Sequence, residues 1–121
     1  MALHNSLGNE GENTALQFLK NKGYQIIATN YRYLKAEIDI IAQWKQQLIF
    51  IEVKTRSSSV FGMPQDAVGI KKQKLMIEAA HNYILQNQLR NEARFDVVAI
   101  IKTKSGTEII HVEDAFYPQA E

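Results

Sequence analysis

The sequence predicts an α/β domain in which a mixed central sheet is flanked by helices around an αβββαβ core. Three observations carry this. Apolar residues recur at helical spacing in two stretches, near residues 15–19 and 75–84. Short apolar runs of strand character stand between and after those stretches. One helix precedes a three-strand meander and the other follows it, so helices can cover a sheet. A length of 121 residues fits one domain, with an ordered core expected from about residue 8 to about 116.

In the first helix Ala15, Leu16, Phe18 and Leu19 gather on one face, and Gly23 supplies the stop. Residues 24–33 read as a strand containing Ile26 and Ile27. Two strands follow closely, at 37–42 and 48–55, and the short connection 43–47 predicts a hairpin. Its turn lacks the usual Asn-Gly or Asp-Gly. Ser57, Ser58, Ser59, Gly62 and Pro64 mark a flexible loop. The second helix runs to about Gln88, with Leu75, Met76, Ala79, Ala80, Tyr83 and Ile84 forming one buried stripe. Residues 95–101 form an apolar strand expected to be covered on both faces. Ser105 and Gly106 turn the chain into a last strand at 108–112. The tail beyond it packs Phe116 and then frays.

Hydrophobic residues make up 45% and charged residues 22% of the chain, as in ordinary globular domains. The absence of cysteine excludes disulfides, thiolate zinc sites and cysteine nucleophiles together. No basic segment followed by an apolar stretch opens the sequence, and the longest apolar run, residues 48–51, is far too short for a bilayer. A cytoplasmic protein without membrane contact is the expectation. The net charge of +1 does not by itself announce nucleic acid. If Glu12, Glu37, Asp39 and Glu52 gather at one metal, nine acids remain against 14 cations, and the rest of the surface is mildly basic at +5.

Side chains alternate along a strand. On the 37–42 strand, Glu37, Asp39 and Ile41 are expected on one face and Ile38, Ile40 and Ala42 on the other. On the 48–55 strand, Leu48, Phe50, Glu52 and Lys54 share a face. Charges at the end of a buried strand are costly unless paired or metal-bound. Asp39 lies opposite Glu52 only if paired residue numbers sum to 91, which places a two-residue turn at Lys45-Gln46. A slip by one would separate the two carboxylates.

Two carboxylates and a backbone carbonyl, taken as that of Val53, suit Mg²⁺ or Mn²⁺, with room for water and a phosphate oxygen. The chemistry expected of such a site is phosphodiester hydrolysis, with Lys54 orienting water or stabilising charge on the phosphate. Glu12 could reach the site as a ligand or through water; alone, it is an acid favoured by a helix N-terminus. Glu37 is a weaker candidate. Arg56 reads equally as a loop cation or a phosphate contact. Lys71, Lys72 and Lys74 open the second helix against its dipole, a conflict that a phosphate partner would relieve; a solvated face is the plainer reading. Trp44 and Tyr31 could stack on bases, or Trp44 could fold back on the sheet. His81 falls off the apolar stripe, and His4 and His111 have no evident partner.

These segments together (GNEGENTALQFLKNKGYQIIATNYR, AEIDIIAQ, LIFIEVKTRSSSVFGMPQDAV, KKQKLMIEAAHNYI and RFDVVAI) resemble the YraN-like family of bacterial putative endonucleases. The resemblance runs from about Gly8 to Phe116. It implies a restriction-endonuclease-like fold with a PD-(D/E)xK site, related to archaeal Holliday-junction resolvases. Asp39 then matches the motif's Asp, Glu52 its second acid, Lys54 its Lys, and Glu12 the acid of the first helix. Glu37, Arg56, Lys72 and Gln73 stand at positions commonly polar or basic in such proteins. The sequence departs from the family at Ala36, where Gly is usual, and at Trp44-Lys45, where Asp-Gly is usual. The expected function is a metal-dependent nuclease acting on DNA, with branched DNA an analogy from the fold and a homodimer expected for so small a domain. The rivals are a nucleic-acid-binding module that does not cleave and a protein-interaction scaffold.

Overall fold

The computed structural model describes residues 6–57 and 68–118, the side chains of 6–9 excepted. The order is α1 (Ser6–Asn21), β1 (Gln25–Tyr33), β2 (Ala36–Trp44), β3 (Gln47–Arg56), α2 (Ile70–Gln86), β4 (Glu92–Thr103) and β5 (Gly106–Phe116). The five strands form one sheet in sequence order. β3 and β4 run parallel, joined through α2, and the other neighbours are antiparallel. The predicted mixed sheet and its flanking helices are therefore observed. His4 and the predicted loop from Ser58 through Pro64 lie outside the described residues.

The two helices take opposite faces. Ala15 and Leu19 of α1 pack with Ile40, Ala42, Ile49, Ile51, Val98 and Ile100. Met76, Ala79 and Ala80 of α2 pack with Ile38, Ile41, Phe50, Phe95 and Val97. Neighbouring residues of β3 and β4 thus feed different cores, which is why both strands read as continuous apolar runs. Phe50 is fully buried and stacks on Phe95 at 5.7 Å; burying one such ring contributes about 1.5–3 kcal/mol.

Helix α1 stops as predicted. Gly23 has φ +95°, Tyr24 N–H donates to the Leu19 carbonyl, and Gly23 N–H donates to that of Lys20. That pair of bonds is a Schellman cap. Two boundaries differ from expectation. β4 begins at Glu92 and takes in a buried Arg94, and β5 continues to Phe116, which pairs with Phe95. The tail at Phe116 is therefore strand, because its ring stacks on Phe95 at 5.1 Å.

The β2–β3 hairpin turns at Lys45-Gln46, with Lys45 at φ +57° doing what Gly does elsewhere. Ala36 needs no such freedom: the preceding turn takes its left-handed residue at Leu34, φ +55°, and Ala36 is buried.

Candidate functional site

The predicted 91 register holds from Trp44↔Gln47 to Ile40↔Ile51, and there the pairing stops. Beyond it the predicted alternation on β2 fails. Ile38 belongs to the α2-side core with Ile41, whereas Ile40 and Ala42 belong to the α1-side core. The strand reverses phase at Asp39. Its other neighbour does the same at the same level: Ala28 and Tyr31, three residues apart, both face the α2 side. Between them Asn30 has φ +53°, a left-handed residue inside a strand. The β1–β2 register shifts once, between Ile26 and Ala28, and then runs unbroken through Thr29↔Ile40 and Tyr31↔Ile38, so Asn30 and Asp39 stand level where both strands turn over.

The reversal splits β2 from β3. A two-residue hairpin closes on a hydrogen-bonded pair, and such pairs alternate. Continuing the 91 register would bring Val53 N–H to the Ile38 carbonyl. Instead it donates to Asp39 Oδ2 at 2.8 Å. The carboxylate takes the place of a ladder carbonyl and lies in the split.

Glu52 stands beside it, 4% exposed. Lys54 Nζ lies 3.3 Å from its Oε2, and Lys72 Nζ of α2 lies 3.7 Å from its Oε1. Oε1 is nevertheless buried without a hydrogen-bond partner. Burial, and then the charge of Glu52, push the Asp39 carboxyl up to about 7, against the pull of the Val53 amide. Two acids held this close and this dry resist ionising together.

Glu12 and Glu37 form the rim. Asn30 Nδ2 donates to Glu12 Oε2 and to Glu37 Oε2, both at 3.3 Å, and Arg32 lies 3.6 Å from Glu37. Partial burial, with the charge of Glu37 adding to it, raises the Glu12 carboxyl above its ordinary range despite the Asn30 bond. Glu12 reaches this place because α1 lies almost on β3. A Cβ at Gly11 would stand 2.0 Å from Thr55 Oγ1.

The structure therefore brings together Glu12, Glu37, Asp39, Glu52, Lys54 and Lys72. Lys71 and Lys74 are exposed on the first turns of α2. Gln73 turns inward, donating its side chain to the Val68 carbonyl. Arg56 donates to the Thr55 carbonyl. Among the described residues, no three His, Asp or Glu side chains close on one metal position.

The model of the Uncharacterised protein family UPF0102 matches residues 11–100. The chain belongs to this family. It is 50% identical over 117 residues to a UPF0102 protein of Christiangramia forsetii, covering 97% of this chain and 98% of that one. A relative from Flavobacterium psychrophilum has the same identity and coverage. One from Alkaliphilus oremlandii is 41% identical over 94% of this chain and all of its own. The YraN-like resemblance of the sequence agrees with this membership.

This UPF0102 chain holds a second charged cluster that sequence reasoning missed. Asp96, fully buried, accepts from Arg94 Nε and Nη2 at 3.0 and 2.8 Å, from Asp114 N–H at 3.0 Å and from His111 Nε2 at 2.7 Å. Lys22 Nζ meets His111 Nδ1 at 2.8 Å. An ammonium only donates, so Nδ1 is the acceptor and Nε2 carries the proton given to Asp96. Arg94 also donates to Tyr24 Oη and Gln47 Oε1. The signal for this cluster is the Arg-x-Asp spacing inside an apolar strand, the same kind of signal that marks Glu52 and Lys54.

The two aromatic candidates are both engaged within the chain. Trp44 folds back and stacks on Tyr24 at 5.5 Å, while Tyr31 donates its hydroxyl to Asn82 Oδ1. A cavity of about 360 Å³ lies at the hairpin end of the sheet, lined by Gln46, Gln47, Arg90, Asn91 and Glu92, and includes none of the candidate residues. Among the described residues, no helix is long and apolar enough to cross a membrane.

Proposed function

We propose that this domain is a metal-dependent nuclease, a cytoplasmic enzyme hydrolysing phosphodiester bonds in DNA, with branched or otherwise structured DNA as the preferred form. The observation that carries this is the buried, unpartnered Oε1 of Glu52 beside the Asp39 carboxylate. A buried carboxylate oxygen without a donor is expensive. Here Lys72 comes within 3.7 Å of it without closing a hydrogen bond, and Lys54 lies by the other oxygen, Oε2. Hard oxygen donors of this kind fit Mg²⁺ or Mn²⁺, which need only one or two carboxylates and otherwise keep water. Asp39, Glu52 and the Val53 carbonyl would hold the ion, with Glu12 contributing through water. When bound, such a cation supplies Lewis acidity to the phosphoryl group and lowers the pKa of a coordinated water.

The chain's own residues do the rest. Asp39 is oriented by the Val53 amide. Lys54, tethered beside Glu52, offers its ammonium to charge gathering on the phosphate. Lys72 extends that positive field toward α2, and Lys71, Lys74 and Arg56 continue it for the flanking phosphates. A homodimer would give so small a domain the reach to hold a branched substrate.

One observation favours a second reading, a nucleic-acid-binding module that does not cleave: the described acids do not close on one metal position. The test is cleavage of single-stranded, duplex and four-way DNA in Mg²⁺ or Mn²⁺. Cleavage that Asp39→Asn abolishes and Lys54→Ala lowers at least about a hundredfold supports the nuclease. Salt-sensitive binding without cleavage supports the second reading. Neither activity on any substrate favours the protein scaffold.

A further inference from the structure

We propose that Asn30 is the positioning residue of this site: its left-handed backbone opens the split that receives Asp39, and its amide yokes Glu12 to Glu37. The significance of the inference rests on the nuclease reading, but its geometry does not.

Asn30 is an exposed residue in the interior of an edge strand, where its left-handed backbone is unusual. A non-glycine residue with φ +53° in a strand persists only where its surroundings compensate. The conformation has a structural consequence that can be read residue by residue. On β1, Ala28 and Tyr31 come to the same side; on β2, Ile38 and Ile40 come to opposite sides. Both reversals occur at the level of Asn30 and Asp39. The ladder between β2 and β3 ends at the same level, and the freed Val53 amide takes the Asp39 carboxylate. A regular β1 would carry β2 past this point in phase, keep the Ile38 carbonyl on Val53, and leave Asp39 with no place in the split.

The side chain has its own part. Nδ2 carries two protons and meets one carboxylate oxygen from α1 and one from β2. A neutral donor here holds two acids side by side without adding a cation that would compete with one at the centre. Asparagine is the ordinary residue that both tolerates the left-handed backbone and brings an amide.

These two roles separate by substitution. Asn30→Gly keeps the backbone and removes the amide; Asn30→Val opposes the backbone and removes the amide. Two readouts are needed: the Val53 amide resonance and its hydrogen-exchange rate, and Mn²⁺ binding to the full chain by calorimetry. In Asn30→Val the Val53 resonance moves, its exchange changes, and Mn²⁺ affinity falls about tenfold or more, as when groups behind metal ligands are lost. In Asn30→Gly the Val53 resonance stays in place and Mn²⁺ affinity falls by a smaller factor. A folded Asn30→Val with an unmoved Val53 resonance overturns the proposal. If the wild-type chain binds no Mn²⁺, the nuclease reading loses its metal, while the Val53 resonance still decides the role of Asn30.

Discussion

Asp39 and Asp96 are both acids on strands of one sheet, and their surroundings are opposite in kind. Asp96 meets four donors, two from Arg94, one from His111 and one from the Asp114 backbone. Those bonds outweigh burial and hold its carboxyl below the ordinary 3.8. Asp39 meets one backbone donor and a neighbouring acid, and its carboxyl is pushed up to about 7. A buried charge with all its partners belongs to the fold. A buried acid pair with one backbone donor, and with two lysines that leave Glu52 Oε1 unbonded, is the kind of perturbed pair that marks a candidate site.

The largest expected effect breaks the satisfied cluster. Asp96→Asn presents an amide to a ring of donors and leaves Arg94, 8% exposed, with its main counter-charge removed. The expected loss of stability is roughly 3–5 kcal/mol, read by urea unfolding. The wild-type contribution is full above the ordinary carboxyl value and fades as pH falls through the lower folded value. The difference between wild type and variant should therefore shrink in acid and persist at neutral pH. A loss under 1 kcal/mol at neutral pH would remove Asp96 from the fold's essential contacts.

Next is the seam that brings α1 to the incomplete site. Gly11→Ala drives a methyl against Thr55 Oγ1, and overpacking of this kind costs about 1–3 kcal/mol. Because Glu12 is the next residue, metal affinity should fall with stability. Thr55→Ala in the same chain should restore much of both. A double-mutant cycle showing no coupling would mean that α1 is held elsewhere.

The third prediction turns the comparison around. Asp39 has a folded value near 7 against an ordinary 3.8, so between those values the folded chain keeps a proton that the unfolded chain releases. Stability therefore falls as pH rises through that window and levels off above it. Asp39→Asn keeps an acceptor for the Val53 amide and removes the charge. Without divalent ions it should be more stable than wild type at pH 8, by at least about 1 kcal/mol, since each unit of the rise is worth about 1.4 kcal/mol, and about equal near pH 4. Equal stability at both values would show that the acid pair carries no stored repulsion. A loss of stability in Asp96→Asn beside a gain in Asp39→Asn is the pattern the comparison requires.

Much of the fold was legible because its signals are local. The stripe on α2, the Gly23 stop and the apolar β3 and β4 follow directly from periodicity and composition. The 91 register followed from requiring Asp39 and Glu52 to meet, and the Lys45-Gln46 turn came with it. The phase reversal was not legible, because it depends on one left-handed residue, and Asn30 sits in a run that otherwise reads as an ordinary strand. The Arg94–Asp96–His111 cluster was missed because its members lie on β4 and β5, and only the fold brings His111 over Asp96. Lys72 was read with Lys71 and Lys74 as one run; the helix separates them, turning Lys72 to Glu52 and leaving the others exposed.

That separation gives the smallest and most selective effect. Helix α2 begins at Gly69 with no side-chain cap and no acid in its first turn. Lys71 therefore stands against the positive end of the helix dipole, where a carboxylate would be favoured. Lys71→Glu should raise stability by about 0.3–1 kcal/mol at low salt. If Lys71 serves only as a solvated cation, DNA affinity will be unchanged apart from a uniform electrostatic decrement that salt removes. If it contacts a phosphate, affinity falls across all sequences, and Lys71→Ala alone lowers the salt slope by about one. Lys72→Ala should behave differently, since its ammonium neighbours Glu52. Its loss should alter divalent-ion binding as well as DNA binding, and a metal titration distinguishes the two lysines. Identical behaviour of the two variants in that titration would mean that the contact between Lys72 and Glu52 has no part in the site.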